Sequence, residues 1–179
     1  MKKRFLISAA VLTLVLAFSS VQVRAVELGL TPSNVVSLWT NINNALVTTG
    51  SALPSGIDVS GDLESMTAKA FPGKKPGEVL NQVVQFREKL DRLRAKSNLK
   101  GTPVYKDPQG GTVTPSVVFV NSGHVLDSVV LLLNRYDKDQ LISGFYTRHD
   151  ISGKKPSDAY SQVELANRRL DTIIAKAGG

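Results

Sequence analysis

The 24 residues from Gly73 to Lys96, GKKPGEVLNQVVQFREKLDRLRAK, return without a gap from Gly153 to Lys176 as GKKPSDAYSQVELANRRLDTIIAK. Gln82-Val83 and Gln162-Val163 stay in register, as do Leu90-Asp91 and Leu170-Asp171. Internal repetition on this scale constrains architecture before it says anything about chemistry. Within the first copy, Val79, Val83, Phe86, Leu90 and Leu93 are spaced 4, 3, 4 and 3. In the second copy the same steps fall on Ala159, Val163, Ala166, Leu170 and Ile173. A seam of this kind over two heptads predicts an amphipathic helix that buries one stripe against its neighbours. Helices are therefore expected over about 76–97 and 156–177.

Proline marks four starts: Thr31-Pro32-Ser33, Lys75-Pro76-Gly77, Thr114-Pro115-Ser116 and Lys155-Pro156-Ser157. Pro is tolerated at the first helical position, where its missing N–H has no intrahelical partner to lose, and Thr is a good cap. Two more helices follow, at about 32–48 with Gly50 as its stop, and at about 115–136. The second of these has β-branched runs, and a strand at 117–120 is its competitor. A short helix over 62–70, capped by Asp62, interrupts a Gly/Ser/Pro-rich connection from Ser51 to Lys75. Turn residues dominate 98–113, and residues 137–155 form another long connection. The chain reads as two copies of a helix–loop–helix unit, about 31–97 and 114–177. The expected fold is all-α, an antiparallel four-helix bundle built from those two duplicated units.

Lys2, Lys3 and Arg4, the apolar run Phe5–Phe18 and a small residue at Ala25 are the parts of a secretory signal peptide. The run is shorter than the roughly 20 residues a spanning helix needs. Residues 1–25 are thus expected to be removed, leaving 26–179 as one helical domain in the periplasm or secreted, with no stable membrane span. The whole chain carries 22 basic and 15 acidic residues, a net +7; without residues 1–25 the count is 18 against 15, or +3. That small excess gives no support for a nucleic-acid partner. The chain has no Cys. Thiol nucleophiles, iron–sulfur clusters and Cys-bound zinc are excluded, and an exported fold without disulfides must rest on its core.

Residues able to carry chemistry are sparse. Asn121, His124 and Asp127 share one face of the third long helix, and Trp39 and Tyr160 lie at core or boundary positions. These five are the candidate contacts for a ligand or partner. No Glu-x-x-His or His-x-x-x-His pair accompanies His124, so no metal site is expected. His149-Asp150, with Arg148 and Tyr146, reads as a mobile polar loop. The paired lysines of each GKKP read as a solvated turn before a helix. No nucleophile elbow or phosphate-binding glycine loop is present, and no cofactor or catalytic set is expected. The expected role is a non-catalytic accessory or interaction protein whose partner is another exported protein. The alternative is a small-molecule-binding or sensor bundle.

Overall fold

A computed structural model describes residues 28–105 and 111–177; the expected signal peptide lies outside them. The described residues are all-helical, with no strand among them. The five α-helices are α1 Pro32–Ser51, α2 Ser60–Ser65, α3 Pro76–Lys96, α4 Pro115–Tyr136 and α5 Pro156–Lys176, and a 3-10 turn covers Ile142–Tyr146. The region 117–120, where a strand competed, is helical. The short helix α2 lies earlier than expected, at 60–65; Asp62 falls in its first turn instead of capping it, and Asp58 just before it accepts from Ser60 N–H at 2.8 Å. Gly50 does not stop α1. It is buried inside the helix, where an added Cβ would lie 2.7 Å from Leu63 Cδ1, so its missing side chain lets α2 seat against α1.

Each long helix begins at the proline anticipated for it. The carboxylates of Glu78 and Asp158 accept from the N–H of Lys75 and Lys155 at 3.0 and 2.7 Å, and Asn34 Oδ1 does the same for Thr31 at 2.9 Å. Thr114 Oγ1 accepts from Val117 N–H. Gly29, Gly73 and Gly153, three residues before their prolines, have φ of 66°, 77° and 67°, a region costly for any residue with a Cβ. The third helix ends on Asn98 at φ 57°, with Leu99 N–H bonded to Arg94 O and Asn98 N–H to Ala95 O, a Schellman closure.

The four long helices pack in a way compatible with a four-helix bundle: α1 lies against α4 and α5, and α3 against α5 and α4. The expected antiparallel order is not what is found. Pro32, Pro76, Pro115 and Pro156, with Val35, Val79, Val118 and Ala159, line a single small apolar void. All four long helices thus start at one end and run in the same direction. Trp39 and Ser122, each seven residues after its proline, are bonded to one another, which only a parallel register allows. The physical reason lies in the connections. Short loops force antiparallel neighbours, but residues 52–75, 97–114 and 137–155 are long enough to retrace the roughly 30 Å of a 20-residue helix. The two long helices of each expected hairpin are not paired side by side. They lie across the core from one another, as α1 and α3 do where Trp39 meets Phe86 edge to face at 5.3 Å.

The shared spacing now explains the core. Val35, Trp39, Ile42, Leu46 and Thr49 on α1 match, step for step, the α3 and α5 seams and Val118, Ser122, Val125, Val129 and Leu132 on α4; all are buried. Volumes compensate across the layers. The largest side chain, Trp39, meets the small Ser122, and Phe86 shares its layer with Ala166. This layering buries α4, whose length and mean hydropathy of 1.7 would suit a membrane span, over two thirds of its apolar window.

The seams between helices repeat as well. Ser33, Ser116 and Ser157, each directly after its proline, accept backbone N–H bonds from Lys154, Leu28 and Lys74 on the segments leading into the neighbouring helices. The fourth such position is Gly77, beside Thr112 and Val113, with open space around it. Gly77→Ser is expected to raise stability by about 1 kcal/mol, through helix propensity and one added hydrogen bond. In thermal denaturation Gly77→Ala should gain less than Gly77→Ser. Equal gains would show that the hydroxyl finds no partner.

Candidate functional site

The described parts of the return segments lie on the bundle, and polar side chains of the long helices hold them there. Arg169 donates to Asn43 O at 3.1 Å, to Asn43 Oδ1 at 3.3 Å and to Met66 O at 3.4 Å, and Arg168 donates to Thr67 O at 2.7 Å. Arg94 donates to Lys100 O at 2.7 Å and also to Ser128 O. Burial holds both the Arg94 and the Arg169 guanidinium below their usual pKa, and Arg168 adds to the effect at Arg169. Asp91 Oδ1 takes both the N–H and the hydroxyl of Thr102 at 2.7 Å. Arg94 lies in the last turn of α3, where the helix dipole already accounts for a cation; Arg168 and Arg169, in the middle of α5, carry no local signal. Their burial depends on which return segment crosses them.

The third return segment, expected to be mobile, makes hydrogen bonds to α1. Ser33, Ser37 and Asn41 recur every fourth residue along α1 and form one polar stripe. Asn41 Nδ2 donates to Thr147 O at 2.7 Å, Ser37 Oγ accepts from His149 N–H at 3.0 Å, and Asn41 Oδ1 lies 2.7 Å from His149 Nε2. Since the Asn41 amide nitrogen is committed as a donor, His149 Nε2 carries the proton in that last bond. Tyr146 donates to Asp127 Oδ1 at 2.9 Å. Partial burial of the phenol, then the Asp127 carboxylate, push the Tyr146 pKa up to about 12. Tyr146 is therefore a neutral donor at physiological pH and not a base.

Between α1, α4 and residues 146–151 lies an open groove of about 550 Å³. Leu38, Phe119 and Leu126 give it an apolar floor, and Arg148, His149 and Asp150 form its polar rim. The size falls within the range of small-molecule and peptide sites.

The five expected contact residues do not converge on this groove. Trp39 is fully buried in the core and donates to Ser122 Oγ at 2.8 Å. Asn121 is buried, bonded to Val117 O at 3.0 Å and to Tyr105 N–H at 3.2 Å. His124, half-buried one turn further along, has a buried Nδ1 without a hydrogen-bond partner. Asp127 is exposed and serves Tyr146. Tyr160 is on the far side of the bundle, taking a bond from Gln82 at 3.2 Å, stacked edge-on with Phe71 at 5.1 Å and capped by Lys74 Nζ at 4.8 Å. No group of three or more metal-ligating side chains gathers among the described residues. The residues that do line a groove come from the Tyr146–Asp150 loop and the Ser37–Asn41 stripe. Their sequence signal was the uncharged polar face of α1. Comparison with family models, with curated proteins and with solved structures gives no match for this chain.

Proposed function

We propose that this chain is an exported, non-catalytic protein-interaction module, released to the periplasm or secreted after cleavage at Ala25, and that its partner is another exported protein. One observation carries the reading: large apolar side chains stand exposed on an ordered connection. Leu141 is 76% exposed, Tyr146 53% and, on the face of α4 one turn beyond Asp127, Leu131 53%. The Tyr146–Asp127 bond ties the 3-10 turn to that face of α4. Exposed apolar groups held in place, rather than on a free tail, suit a surface that a partner covers. The chain's architecture fits a scaffold role: we infer a tandem repeat of one helix plus one return segment, of which the GKKP copies are the best-preserved pair.

A photoreactive residue at Leu141 in the exporting cell is expected to yield a defined protein adduct that one at Glu88, also exposed, does not. Absence of an adduct at Leu141 with retained export would overturn the reading. The second reading, a small-molecule binder, is favoured by the groove beside Asn41 and His149. Native mass spectrometry of the protein from its own compartment decides for it if a small molecule is retained.

A further inference from the structure

Two seams of the bundle are clamped by amides. Between α1 and α5, Asn43 Nδ2 donates to Gln162 O and Oε1 at 3.1 and 3.3 Å. Between α5 and α3, Asn167 Nδ2 donates to Gln82 O and Oε1, both at 3.3 Å. In each case the Asn lies eleven residues after its proline and the Gln six. The other two seams lack the clamp. Between α3 and α4 the same positions hold Arg87 and Asn121, and Asn121 serves Tyr105 N–H instead. Between α4 and α1 they hold Leu126 and Leu38, and both line the groove. With Phe119 they make its floor apolar where the clamped seams place polar amides.

The rim above that floor carries both signs of charge. His149 N–H is bonded to Ser37 Oγ, and Ile151 N–H closes on His149 O at 3.0 Å, which turns the chain at Asp150. Arg148 and Asp150 thus flank a fixed residue, and both line the groove. They are exposed, and among the described residues neither makes an ion pair. Beside them, Ser37 is only 8% exposed. A hydroxyl has one donor and two acceptor sites. The Ser37 oxygen accepts from His149, but its own proton bonds to none of the described residues. The hydroxyls of Thr40, Thr49 and Ser122, by contrast, turn back onto the carbonyl four residues earlier. A buried donor is therefore left at the groove wall, next to one cation and one anion. That combination complements a zwitterionic ligand and gives no advantage to a ligand of either net charge.

We propose that this groove binds a free apolar amino acid. The Arg148 guanidinium and the Ser37 O–H take its carboxylate, and the Asp150 carboxylate takes its ammonium. Leu38, Phe119 and Leu126 cover its side chain, so apolar area removed from water adds to the two charge contacts. Arginine suits the carboxylate because its planar fork can donate two parallel bonds. This rests on the small-molecule reading and gives it a ligand class; it needs nothing from the exposed face at Leu141.

The probe is L-phenylalanine, titrated calorimetrically into the full mature chain. It is expected to bind, with N-acetyl-phenylalanine and phenylalaninamide each about tenfold weaker and glycine giving no signal. The first analogue stands for a peptide C-terminus and the second for a peptide N-terminus. Equal binding of either would assign the groove to a peptide end and overturn the proposal. Arg148→Gln should weaken phenylalanine about tenfold and leave phenylalaninamide unchanged. Asp150→Asn should weaken phenylalanine and leave N-acetyl-phenylalanine unchanged. Both positions are exposed, and circular dichroism identifies any loss of fold. If a variant does not fold, the analogue series on the unsubstituted chain decides the matter. No binding of phenylalanine, or an equal loss of phenylalanine and phenylalaninamide in Arg148→Gln, overturns the proposal. A retained molecule of other chemistry in native mass spectrometry, with no phenylalanine binding, would sink this ligand class and leave the small-molecule reading standing.

Discussion

Trp39→Ala is expected to destabilise the fold by about 3–5 kcal/mol, the range for removing a buried aromatic side chain. Trp39 is fully buried, meets Phe86 edge to face and fills a layer whose facing residue is only Ser122. Neither of those neighbours can collapse into the space, because each is fixed by its own helix. A domain of this size has about 5–15 kcal/mol of stability in all, so the loss is a large fraction of it. Urea denaturation followed by circular dichroism measures it. Trp39→Phe should cost clearly less, since it keeps most of the packing and Ser122 retains its bond to Val118 O at 2.8 Å. Equal losses for Ala and Phe would mean that the hydrogen bond rather than the volume matters.

Arg169→Ala is the second large effect, at about 2–3 kcal/mol. The side chain is 8% exposed and holds the return segment 52–75 through Met66 O while bonding Asn43 on α1. Its removal leaves a cavity and buried acceptors without a donor, each costing about 1–3 kcal/mol. Among the described residues no carboxylate forms an ion pair with this guanidinium, and its burial is offset mainly by carbonyl bonds and packing, with a smaller contribution from the Glu64 charge. Arg169→Met should therefore recover much of the loss, as replacing a buried charge by an apolar chain of similar volume often does. Hydrogen exchange supplies the local readout: amides of residues 63–69 should lose protection in Arg169→Ala ahead of those in α3. A uniform loss across the bundle would assign Arg169 to the core and not to the return segment.

The helices themselves were legible. Four prolines, the two GKKP seams at heptad spacing and caps such as Thr114 marked them, and three of the four ends fell within a residue of expectation. The exception was α1, because Gly50 looks like a terminator in one dimension and is a close-packing contact in three. The candidate site was less legible. Asn121, His124 and Asp127 share a helix face, but different return segments pass over them, Tyr105 at one end and Tyr146 at the other. Polar residues on one face converge only if one element covers them all.

By itself the sequence determined the number of long helices, where each one starts and the stripe that α3 and α5 bury, because these follow from local capping and a periodicity that any neighbour would satisfy. Only the tertiary structure decided their direction. A heptad seam packs equally well against a parallel or an antiparallel partner, so the choice falls to the connections. Here Ser33, Asn41, Arg94 and Arg169 hold those connections along the bundle. The third of these segments also closes the groove at Leu38 and Leu126. The repeated helices build the frame, and the segments between them carry the features that distinguish one side of it from another.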